Sequence, residues 1–290
     1  MSSQFAPETA DGWACLHQFF QVDFAALNAL PDEERNNILA ATTEFIQSRE
    51  EYSSESGQTA AFHMLGHKGN FALLHFRKTF EECGQTEIEF ARLPIAPYLR
   101  YQDSYTSVVE LGMYHTTKKV VEGLLEENIK PHSPEWTEQY NAKLDPHKEN
   151  LHERCYTEIP ARKYFCFYPM DKARGDKHNW YADPLTKRAE LMMEHGMTGR
   201  RFAGKVKQII GGSIGFDDWE WCVSLFANNP LDIKRLVYEM RFDDATSYYG
   251  KFGRFLFGVR LLGKDLGAYF NGNLEVTEFK DPEPAARPHH

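Results

Sequence analysis

The chain has 290 residues, 42% of them hydrophobic, which is enough apolar material for one large domain or two smaller ones. Its formal net charge of −9 argues against a nucleic-acid-binding protein, since such proteins usually carry a basic face. No stretch reaches the roughly 18 apolar residues that a membrane-spanning helix needs, and the polar start MSSQFAPETADGW lacks the pattern of a signal peptide.

The cysteines argue against two further classes of protein. They are scattered along the chain, their number is odd, and none forms a CxxC pair. This usage disfavours both a disulfide framework and a structural zinc site. We therefore expect free, mostly buried thiols and a cytoplasmic protein. The cysteines are Cys15, Cys83, Cys155, Cys166 and Cys222.

The first half of the chain predicts the element order β-α-β-β-α-β after a loose polar arm over residues 1–10. Alternating or aromatic apolar runs indicate the strands, and the acidic residues after Pro31 mark the start of a helix. The predicted elements are a strand over 13–20, a helix over 31–52, a hairpin over 60–77 with its turn at 67–70, a helix over 79–93 and a strand over 105–114.

The second half predicts the same order again. Asp183 is the expected N-cap of its first helix, Pro184 the first residue, and Gly196 follows the end. The pair Gly211-Gly212 indicates a bulge or a close backbone approach. The predicted elements are a strand over 163–170, a helix over 183–196, strands over 205–215 and 219–227, a helix over 230–242 and a strand over 252–262.

Two copies of this order predict an α+β protein with two ferredoxin-like repeats, whose sheets pack together or close into a barrel. The expected division is an N-terminal domain over 1–115, a charged connecting segment over 116–160, a C-terminal domain over 161–275 and a disordered tail over 276–290. We expect the connecting segment to be a partly mobile surface linker with one helix over 118–128 and a turn-rich stretch over 129–136. His289 and His290 receive no functional role.

Three residues of the second half combine into a candidate haem site. His195 suits the negative end of a helix dipole, but haem iron is also commonly held by one histidine. Tyr168 fits a core aromatic residue, or a phenol that a neighbouring oxidised iron centre can oxidise. Gln208 fits a solvent-facing strand residue, or an uncharged amide above the iron. Taken one at a time, each residue favours the ordinary structural role.

The cationic residues nearby fit a solvated face, or a site for a ligand with several carboxylates, which arginine binds in a bidentate fork. Other catalytic templates are absent from the sequence, including GxSxG, GxxxxGK[ST], HExxH and an EF-hand loop. The carboxylates of FDDWEW fit a surface turn. The cationic residues are Arg154, Lys172, Arg200, Arg201, Lys205 and Lys207.

Several long segments agree in order and spacing with one family. They are DGWACLH, SYTSVVEL, YFCFYPMDK, NWY, EHGMTGR, AGKVKQIIGGSIGFDDWEW and LVYEMRFDDATSYYGKFG. On these segments the chain resembles the chlorite dismutase-like superfamily, and more closely the coproheme decarboxylases of the Gram-positive type. The resemblance runs from about residue 11 to about residue 262 and is densest over 164–253.

The resemblance implies a fused α+β barrel, a ring of subunits that is typically a pentamer, and a porphyrin in the C-terminal domain. It implies His195 as the proximal iron ligand and Gln208 as the distal residue, and the structural observation that would best support it is His195 facing the interior of the second barrel with Gln208 on the opposite wall of one cavity. Tyr168 is implied as the radical-bearing catalytic tyrosine, with Lys172 assisting it. The other matched positions are those that contact propionates, Arg154, Tyr156 and Tyr105, and those that line the pocket, Met170, Trp180 and Trp219.

The implied reaction is an oxidative decarboxylation driven by hydrogen peroxide. Iron coproporphyrin III (coproheme) is both substrate and cofactor, and its oxidised centre takes an electron from Tyr168. The tyrosyl radical abstracts hydrogen from a propionate, carbon dioxide leaves and a vinyl group remains, so that two rounds give haem b. The implied partners are coproheme, peroxide, further copies of the chain and, in transient contact, coproporphyrin ferrochelatase, with no nucleic acid and no membrane span.

Gln208 separates this reaction from the nearest alternative. Members of the superfamily that split chlorite carry arginine at the distal position, where a fixed positive charge retains the chlorine oxyanion. Gln208 supplies no charge, which argues against a chlorite dismutase. A haem peroxidase, and a haem-binding or haem-transfer protein without catalysis, stay open, because a fold does not determine a function.

Overall fold

A computed structural model of the protein describes residues 5–281. Its strands are β1 (Thr9–Val22), β2 (Gln58–Met64), β3 (Phe71–Arg77), β4 (Leu99–Gly112), β5 (Tyr164–Lys172), β6 (Val206–Gly212), β7 (Trp221–Ala227), β8 (Gly250–Phe252) and β9 (Leu256–Leu261). Its helices are α1 (Phe24–Asn28), α2 (Asp32–Glu50), α3 (Phe80–Ala91), α4 (Tyr114–Glu126), α5 (Pro134–Cys155), α6 (Leu185–Arg200), α7 (Pro230–Met240), α8 (Asp244–Ser247) and α9 (Leu266–Phe270).

The strands of both halves form one closed antiparallel sheet. In the described part of the chain its order is β7-β6-β4-β1-β3-β2-β9-β5, and β5 closes the ring by pairing with β7. The short β8 pairs with the C-terminal end of β5. The predicted order β-α-β-β-α-β occurs as β1-α2-β2-β3-α3-β4 and as β5-α6-β6-β7-α7-β9. The predicted α+β barrel is confirmed, whereas the division into domains stays a prediction.

The inside of the barrel is a packed apolar core. Strand residues alternate between the two faces of the sheet, so every second side chain points inward. Trp13, Phe62, Phe165 and Phe226 are fully buried inward rings, and the centres of the Phe62 and Phe165 rings lie 4.3 Å apart. Aromatic rings therefore fill the space that the closed sheet encloses.

Helices cover the outer face of each half. On the N-terminal half, α2, α3 and α9 bury an apolar cluster that includes Ile46 and Phe90. On the C-terminal half, α7 and the residues after α6 bury a second cluster, which includes Leu225, Leu236 and the candidate residue Tyr168. The outer face of the C-terminal half is therefore the part of the fold on which a site containing Tyr168 has to be built.

The two halves meet at the glycine pair for which the sequence predicts a close approach. β4 pairs with β6 at Gly211 and Gly212. A Cβ atom at Gly211 would lie 2.5 Å from Ser107 Oγ, and one at Gly212 would lie even closer to the Glu110 carboxylate. The close approach is confirmed, and the missing side chains let β4 and β6 pair.

The connecting segment is more helical than predicted. It forms α4 and α5, where the sequence predicted one helix followed by a turn-rich stretch. Ser133 caps α5 by accepting a hydrogen bond from Trp136 N at 3.1 Å, and Pro134 fits the first turn. Trp136 is buried and stacks on Phe5, so the described part of the N-terminal arm packs against α5 instead of lying loose.

The end of the described chain has little regular structure. After α9, the residues up to 281 form no helix or strand, although Lys163 makes an ion pair with Glu278. Residues 282–290, which include most of the predicted tail and the two terminal histidines, lie outside the described residues. Among the helices of residues 5–281, none is long and apolar enough to cross a membrane.

Candidate functional site

Several candidate residues gather on the outer face of the C-terminal half of the sheet. One row of paired residues across the sheet consists of Tyr168 on β5, Val223 on β7 and Ile210 on β6. Gln208 also lies on β6, in the next row on the same face. Tyr168 and Gln208 are two strands apart, which corresponds to about 10 Å across the sheet. Because α6 lies over this outer face, His195 on α6 does not face the barrel interior.

His195 is oriented by a carboxylate. Its Nδ1 donates a hydrogen bond to Asp243 Oδ2 at 2.9 Å. This bond leaves Nε2 as the nitrogen that can bind a metal, an arrangement common to histidine ligands. The His195 side chain is 26% exposed, so a ligand can reach it.

Asp243 is itself held in place. It is the N-cap of α8, and its Oδ1 accepts a hydrogen bond from Thr246 N at 2.8 Å. Burial of the side chain raises the pKa of Asp243, but the hydrogen bonds from His195 and Thr246 outweigh burial and lower this pKa overall. Asp243 is therefore a fixed carboxylate that holds the His195 imidazole in one orientation.

The helix that carries His195 is longer than predicted. α6 continues through Gly196 to Arg200, so the prediction that His195 closes the helix is wrong. Gly199, one turn after His195, is a point of close contact with the sheet. A Cβ atom at Gly199 would lie 3.1 Å from Gln208 Nε2, so the Gln208 side chain reaches across from the sheet to α6. Gln208 and His195 therefore border the same space.

Tyr168 is a buried phenol in an aromatic setting. Its ring stacks on Phe255 with 4.4 Å between the ring centres and lies 5.7 Å from the Phe252 ring. Burial raises the pKa of Tyr168, which keeps the phenol protonated, while the charge of Arg241 opposes this shift. Within residues 5–281 the Tyr168 hydroxyl makes no hydrogen bond, so it is available to a ligand.

Lys172 is buried at the end of β5, on the same face as Tyr168. Its Nζ donates a hydrogen bond to Ala245 O at 3.0 Å and lies 4.5 Å from the centre of the Trp180 ring. Burial lowers the pKa of Lys172 to about 8, and the charge of Asp243 opposes this shift. A lysine with this pKa can gain or lose a proton near neutral pH.

Two of the predicted pocket residues lie beside these groups. Met170 is on β5 between Tyr168 and Lys172 and is half-buried against the same apolar cluster. Trp180 is fully buried and packs on the Lys172 side chain. The structure thus gathers Met170 and Trp180 with the catalytic candidates.

Tyr105 and Trp219 lie on the other side of the sheet. Tyr105 points into the barrel core, where its hydroxyl lies 2.5 Å from Ser213 Oγ and donates to Trp219 O at 3.1 Å. The Trp219 side chain also packs against the barrel core. The structure does not bring either residue to the His195 side. Tyr105 faces the core because neighbouring strand positions face opposite ways, and Trp219 lies in the turn between β6 and β7.

Arg154 and Tyr156 lie at the C-terminal end of α5. Arg154 is exposed, and Tyr156 packs edge-on against Trp13 with 5.0 Å between the ring centres. Tyr156 lines a separate cavity of about 780 Å³, whose wall carries three glutamates but a single lysine, Lys78. In the described part of the chain, no hydrogen bond or aromatic contact joins Arg154 or Tyr156 to the group around His195.

Sequence reasoning missed three residues of this site. Asp243 orients His195, Gly199 makes room for Gln208, and Arg241 lies 3.8 Å from the centre of the Phe252 ring, next to Tyr168. A local signal exists for Asp243, because an aspartate before a short helix is a typical N-cap. No local pattern indicates its contact with a histidine that lies 48 positions away.

A family model described as chlorite dismutase matches residues 35–261 of this chain. The chain belongs to the chlorite dismutase family. The match spans strands of both halves of the barrel and includes the outer face that carries His195 and Tyr168. The resemblance to the chlorite dismutase-like superfamily that the motifs indicated is confirmed.

The chain is also similar to named proteins over most of its length. It is 41% identical to the coproheme decarboxylase of Staphylococcus saprophyticus over 254 residues, which cover 87% of this chain and 93% of the relative. It is 37% identical over 276 residues to a protein of Haloquadratum walsbyi that is named for heme binding. That match covers 95% of this chain but only 49% of the haloarchaeal protein.

Solved structures agree with the fold. The structure of a heme-binding protein from Thermus thermophilus superposes with a TM-score of 0.77 at 33% identity and covers 93% of this chain and 98% of its own. A chlorite dismutase from Candidatus Nitrospira defluvii superposes with a TM-score of 0.66 at 18% identity and covers 90% of this chain and 95% of its own. At this lower identity the second likeness shows the fold alone.

Proposed function

We propose that the protein is a coproheme decarboxylase, which converts two propionates of iron coproporphyrin III to vinyl groups with hydrogen peroxide and so produces haem b. One observation carries the proposal: His195 has an oriented imidazole with a free Nε2 and borders the same space as Gln208 and the sheet face that bears Tyr168. The donor set fits an iron porphyrin, since a single neutral nitrogen ligand suits an iron that the macrocycle already coordinates. The 41% identical coproheme decarboxylase supports the same activity.

The chain's own residues supply positioning and proton handling. The iron porphyrin, when bound, supplies the oxidising equivalents that peroxide provides. Tyr168 is buried, protonated and without a hydrogen-bond partner among residues 5–281, so its phenol can donate a hydrogen bond to a propionate and lose hydrogen to an oxidant. Lys172 lies on the same face, and its pKa of about 8 allows it to take or return the phenolic proton.

The distal side is uncharged in this proposal. Gln208 reaches the space between the sheet and α6 and supplies an amide, which can hydrogen-bond bound peroxide without adding charge. A chlorite dismutase is therefore the weaker candidate, as the distal amide does not hold a chlorine oxyanion electrostatically. Haem binding without catalysis is the second candidate, favoured by relatives that are named for heme binding.

The propionate contacts need cations. Arg241 packs on the Phe252 ring, which lies beside the Tyr168 ring. Arg241 is therefore the cation best placed to bind a propionate near the phenol. The assignments of Arg154, Tyr156 and Tyr105 to propionates remain part of the proposal, and so do those of Met170, Trp180 and Trp219 to the pocket wall. Contacts of Tyr105 and Tyr156 with propionates require these side chains to move when the ligand binds, because Tyr105 contacts Ser213 and Tyr156 packs against Trp13 in the structure.

Further parts of the proposal concern partners. We assign coproheme and peroxide as substrates, a homopentamer as the assembly, the cytoplasm as the compartment, and coproporphyrin ferrochelatase as a transient donor of coproheme. A set of exposed apolar side chains on the outer helices of the C-terminal half supports the proposed oligomer, because such side chains are often buried in contacts between subunits. These residues are Met193 and Met197 on α6 and Tyr238 and Phe242 on or just after α7.

The experiment is a comparison of Tyr168→Phe with Tyr164→Phe, which makes the same change four residues earlier on β5. We expect both variants to bind ferric coproheme, as measured by absorbance titration. After addition of peroxide, Tyr168→Phe should form haem b at less than roughly one thousandth of the wild-type rate, because the group that removes hydrogen is lost. Mass spectrometry of the porphyrin measures the loss of carbon dioxide.

Tyr164→Phe keeps the reactive phenol and should decarboxylate coproheme like the wild-type protein. Haem b formation by Tyr168→Phe at the wild-type rate would contradict the radical role of Tyr168. Tight coproheme binding by the wild-type protein without any loss of carbon dioxide would favour haem binding over catalysis.

A further inference from the structure

A chain of aromatic rings leads from Lys172 to the protein surface. Trp180 packs on Lys172, and Tyr249 packs edge-on against Trp180 with 5.2 Å between the ring centres. His178 lies 5.7 Å from Tyr249 and stacks on Tyr248 at 4.8 Å. Trp180 and Tyr249 are buried, whereas Tyr248 is 51% exposed. We call Trp180, Tyr249, His178 and Tyr248 the aromatic relay.

The inner end of the aromatic relay is close to the candidate iron ligand. Lys172, which packs on Trp180, interacts electrostatically with Asp243. Asp243 in turn accepts the hydrogen bond of His195. A hydrogen bond, an electrostatic interaction and a packing contact therefore connect the His195 imidazole, in that order, to the first oxidisable ring of the relay.

Tyr249 has a base for its phenolic proton. Its hydroxyl donates a hydrogen bond to Asp183 Oδ2 at 2.6 Å, while Lys187 Nζ donates to Asp183 Oδ1 at 3.0 Å. Burial raises the pKa of Asp183, but these two hydrogen bonds outweigh burial and lower this pKa overall, so Asp183 is a carboxylate. The sequence predicted Asp183 as the N-cap of α6, but Pro184 occupies that position, which leaves both Asp183 oxygens to these partners.

The partner of the Tyr249 hydroxyl distinguishes it from a tyrosine with only a structural hydrogen bond. Tyr269 is also buried, but its hydroxyl donates to the main-chain carbonyl of Asn70 at 2.5 Å. His63 Nδ1 lies 3.4 Å from the same hydroxyl, but it donates its own hydrogen to Asn70 O at 3.1 Å and therefore cannot take up the phenolic proton. A carbonyl oxygen accepts a hydrogen bond but does not take up the proton, whereas a carboxylate does. A phenol loses an electron more readily when its proton can leave to a hydrogen-bonded base. Tyr249 meets this condition and Tyr269 does not.

We propose that the aromatic relay carries oxidising equivalents from the pocket to the surface and gives the protein a second activity, the one-electron oxidation of small phenols at Tyr248. The proposal rests on the proposed function, because peroxide acting at the bound iron porphyrin is the oxidant. Oxidising equivalents that do not reach a propionate then leave through the relay instead of damaging the pocket.

The electrons and protons balance along the relay. Trp180 gives one electron to the oxidised centre and takes one from Tyr249, whose phenolic proton moves to Asp183. Tyr248 then reduces Tyr249, the proton returns from Asp183, and Tyr248 releases its own proton to water. A phenol from solvent restores Tyr248 by giving up one electron and one proton. Each peroxide accepts two electrons and two protons to form two water molecules, so two phenols are oxidised per peroxide.

The test uses the full chain loaded with ferric coproheme, with peroxide as oxidant, a nitroso spin trap and guaiacol as the phenol. Peptide mass spectrometry locates the trap adduct, and the same samples are analysed for loss of carbon dioxide from the porphyrin. We expect the adduct at Tyr248 in the wild-type protein. Tyr249→Phe should remove this adduct and slow guaiacol oxidation roughly tenfold or more, because the relay is interrupted.

Asp183→Asn provides a variant that keeps a hydrogen-bond acceptor for Tyr249 but loses the proton acceptor, so it should also weaken the adduct. Tyr269→Phe is the matched control and should leave both the adduct and guaiacol oxidation unchanged. An undiminished adduct at Tyr248 in both Tyr249→Phe and Asp183→Asn overturns the relay. If the wild-type protein releases carbon dioxide but forms no adduct at Tyr248, the relay is contradicted and the proposed decarboxylation stands. If it forms the adduct but releases no carbon dioxide, the relay stands and the proposed decarboxylation is contradicted.

Discussion

At the scale of single residues, the site contains buried side chains of charged and polar types that are usually exposed to solvent. Lys172, Asp243 and Tyr168 are all buried on or near one sheet face, and two of them, Lys172 and Asp243, carry a charge at neutral pH. Asp243 keeps its charge because it accepts hydrogen bonds, whereas Lys172 has one carbonyl partner and a pKa lowered to about 8. The desolvation of Lys172 is therefore a cost in stability, which the proposed role of Lys172 in proton transfer can explain.

Lys172→Met tests this cost through its pH dependence. The folded protein releases the Lys172 proton at about pH 8, whereas an unfolded lysine keeps it up to about pH 10.5. The cost of about 3 kcal/mol is therefore fully present below pH 8 and disappears as the pH rises toward 10.5. We expect the free energy of unfolding of Lys172→Met, relative to wild type, to be highest at about pH 7 and to fall by about pH 10, measured by denaturant titration.

The variant also loses the hydrogen bond to Ala245 O, which lowers its stability by a similar amount at every pH. The trend with pH, and not the value at one pH, is therefore the quantity to compare. A stability difference that stays constant from about pH 7 to about pH 10 would mean that the Lys172 pKa is not lowered in the folded protein.

At the scale of elements, α6 shows how a glycine can be misinterpreted. The sequence around His195 and Gly196 fits a helix end, since glycine is the commonest residue after a helix. In the structure Gly196 keeps helical geometry with a negative φ, and the positive φ of 83° belongs to Gly204 in the turn that follows. Packing of α6 against α4, α7 and α8 stabilises the extra turn, and such contacts override a local preference.

Gly196→Ala and Gly204→Ala form a matched pair. Open space surrounds the position of an added Cβ atom at both glycines, so only the backbone conformation differs. Alanine at Gly196 should raise the free energy of unfolding by about 0.5–1 kcal/mol, because glycine is a poor residue for a helix interior. Alanine at Gly204 should lower it by about 1–2 kcal/mol, because a positive φ is unfavourable for residues with a side chain.

Thermal or denaturant unfolding of both variants measures these changes. A Gly196→Ala variant that is less stable than the wild-type protein would mean that α6 ends at His195, as the sequence pattern indicated. Equal effects at the two positions would contradict the conformations described for them.

At the scale of the whole molecule, the closed barrel makes its two outer faces different. The N-terminal outer face packs α2 and α3 onto an apolar cluster, while the C-terminal face combines apolar residues with Gln208, Lys172 and the exposed edge of His195. The helices of the C-terminal half also expose apolar side chains to solvent, including Tyr238 at 63% and Phe242 at 70%. Exposed apolar groups of this kind mark interaction surfaces.

The pentamer is tested with the double variant Tyr238→Glu/Phe242→Glu. Light scattering of the wild-type protein should give five times the chain mass of 33.6 kDa. The double variant should shift toward the mass of one chain, because burying two carboxylates in an apolar contact is unfavourable. Ile88→Glu, at a helix position of the N-terminal half that is 50% exposed, is the control and should keep the wild-type mass.

A wild-type mass of a single chain would contradict the pentamer. An unchanged mass of the double variant, with dissociation of Ile88→Glu, would move the contact to the N-terminal half.

The sequence by itself determined the element order, the α+β class and the family, because alternation of apolar residues and long ordered motifs are local properties of the chain. It also selected Tyr168, Lys172, His195 and Gln208, which lie on one side of the C-terminal sheet. It did not show that Tyr105 faces the barrel core, on the other side of the sheet, because one position along a strand changes the face and only the pairing of strands decides which face meets a helix.

The tertiary structure alone decided the surroundings of these residues. The bond from Asp243 to His195 and the room that Gly199 leaves for Gln208 join positions that lie far apart in the chain. The lowered pKa of Lys172 likewise comes from burial under later segments. Chemistry at this site depends on distances and desolvation, which exist only once the sheet has closed and α6 has packed on its outer face.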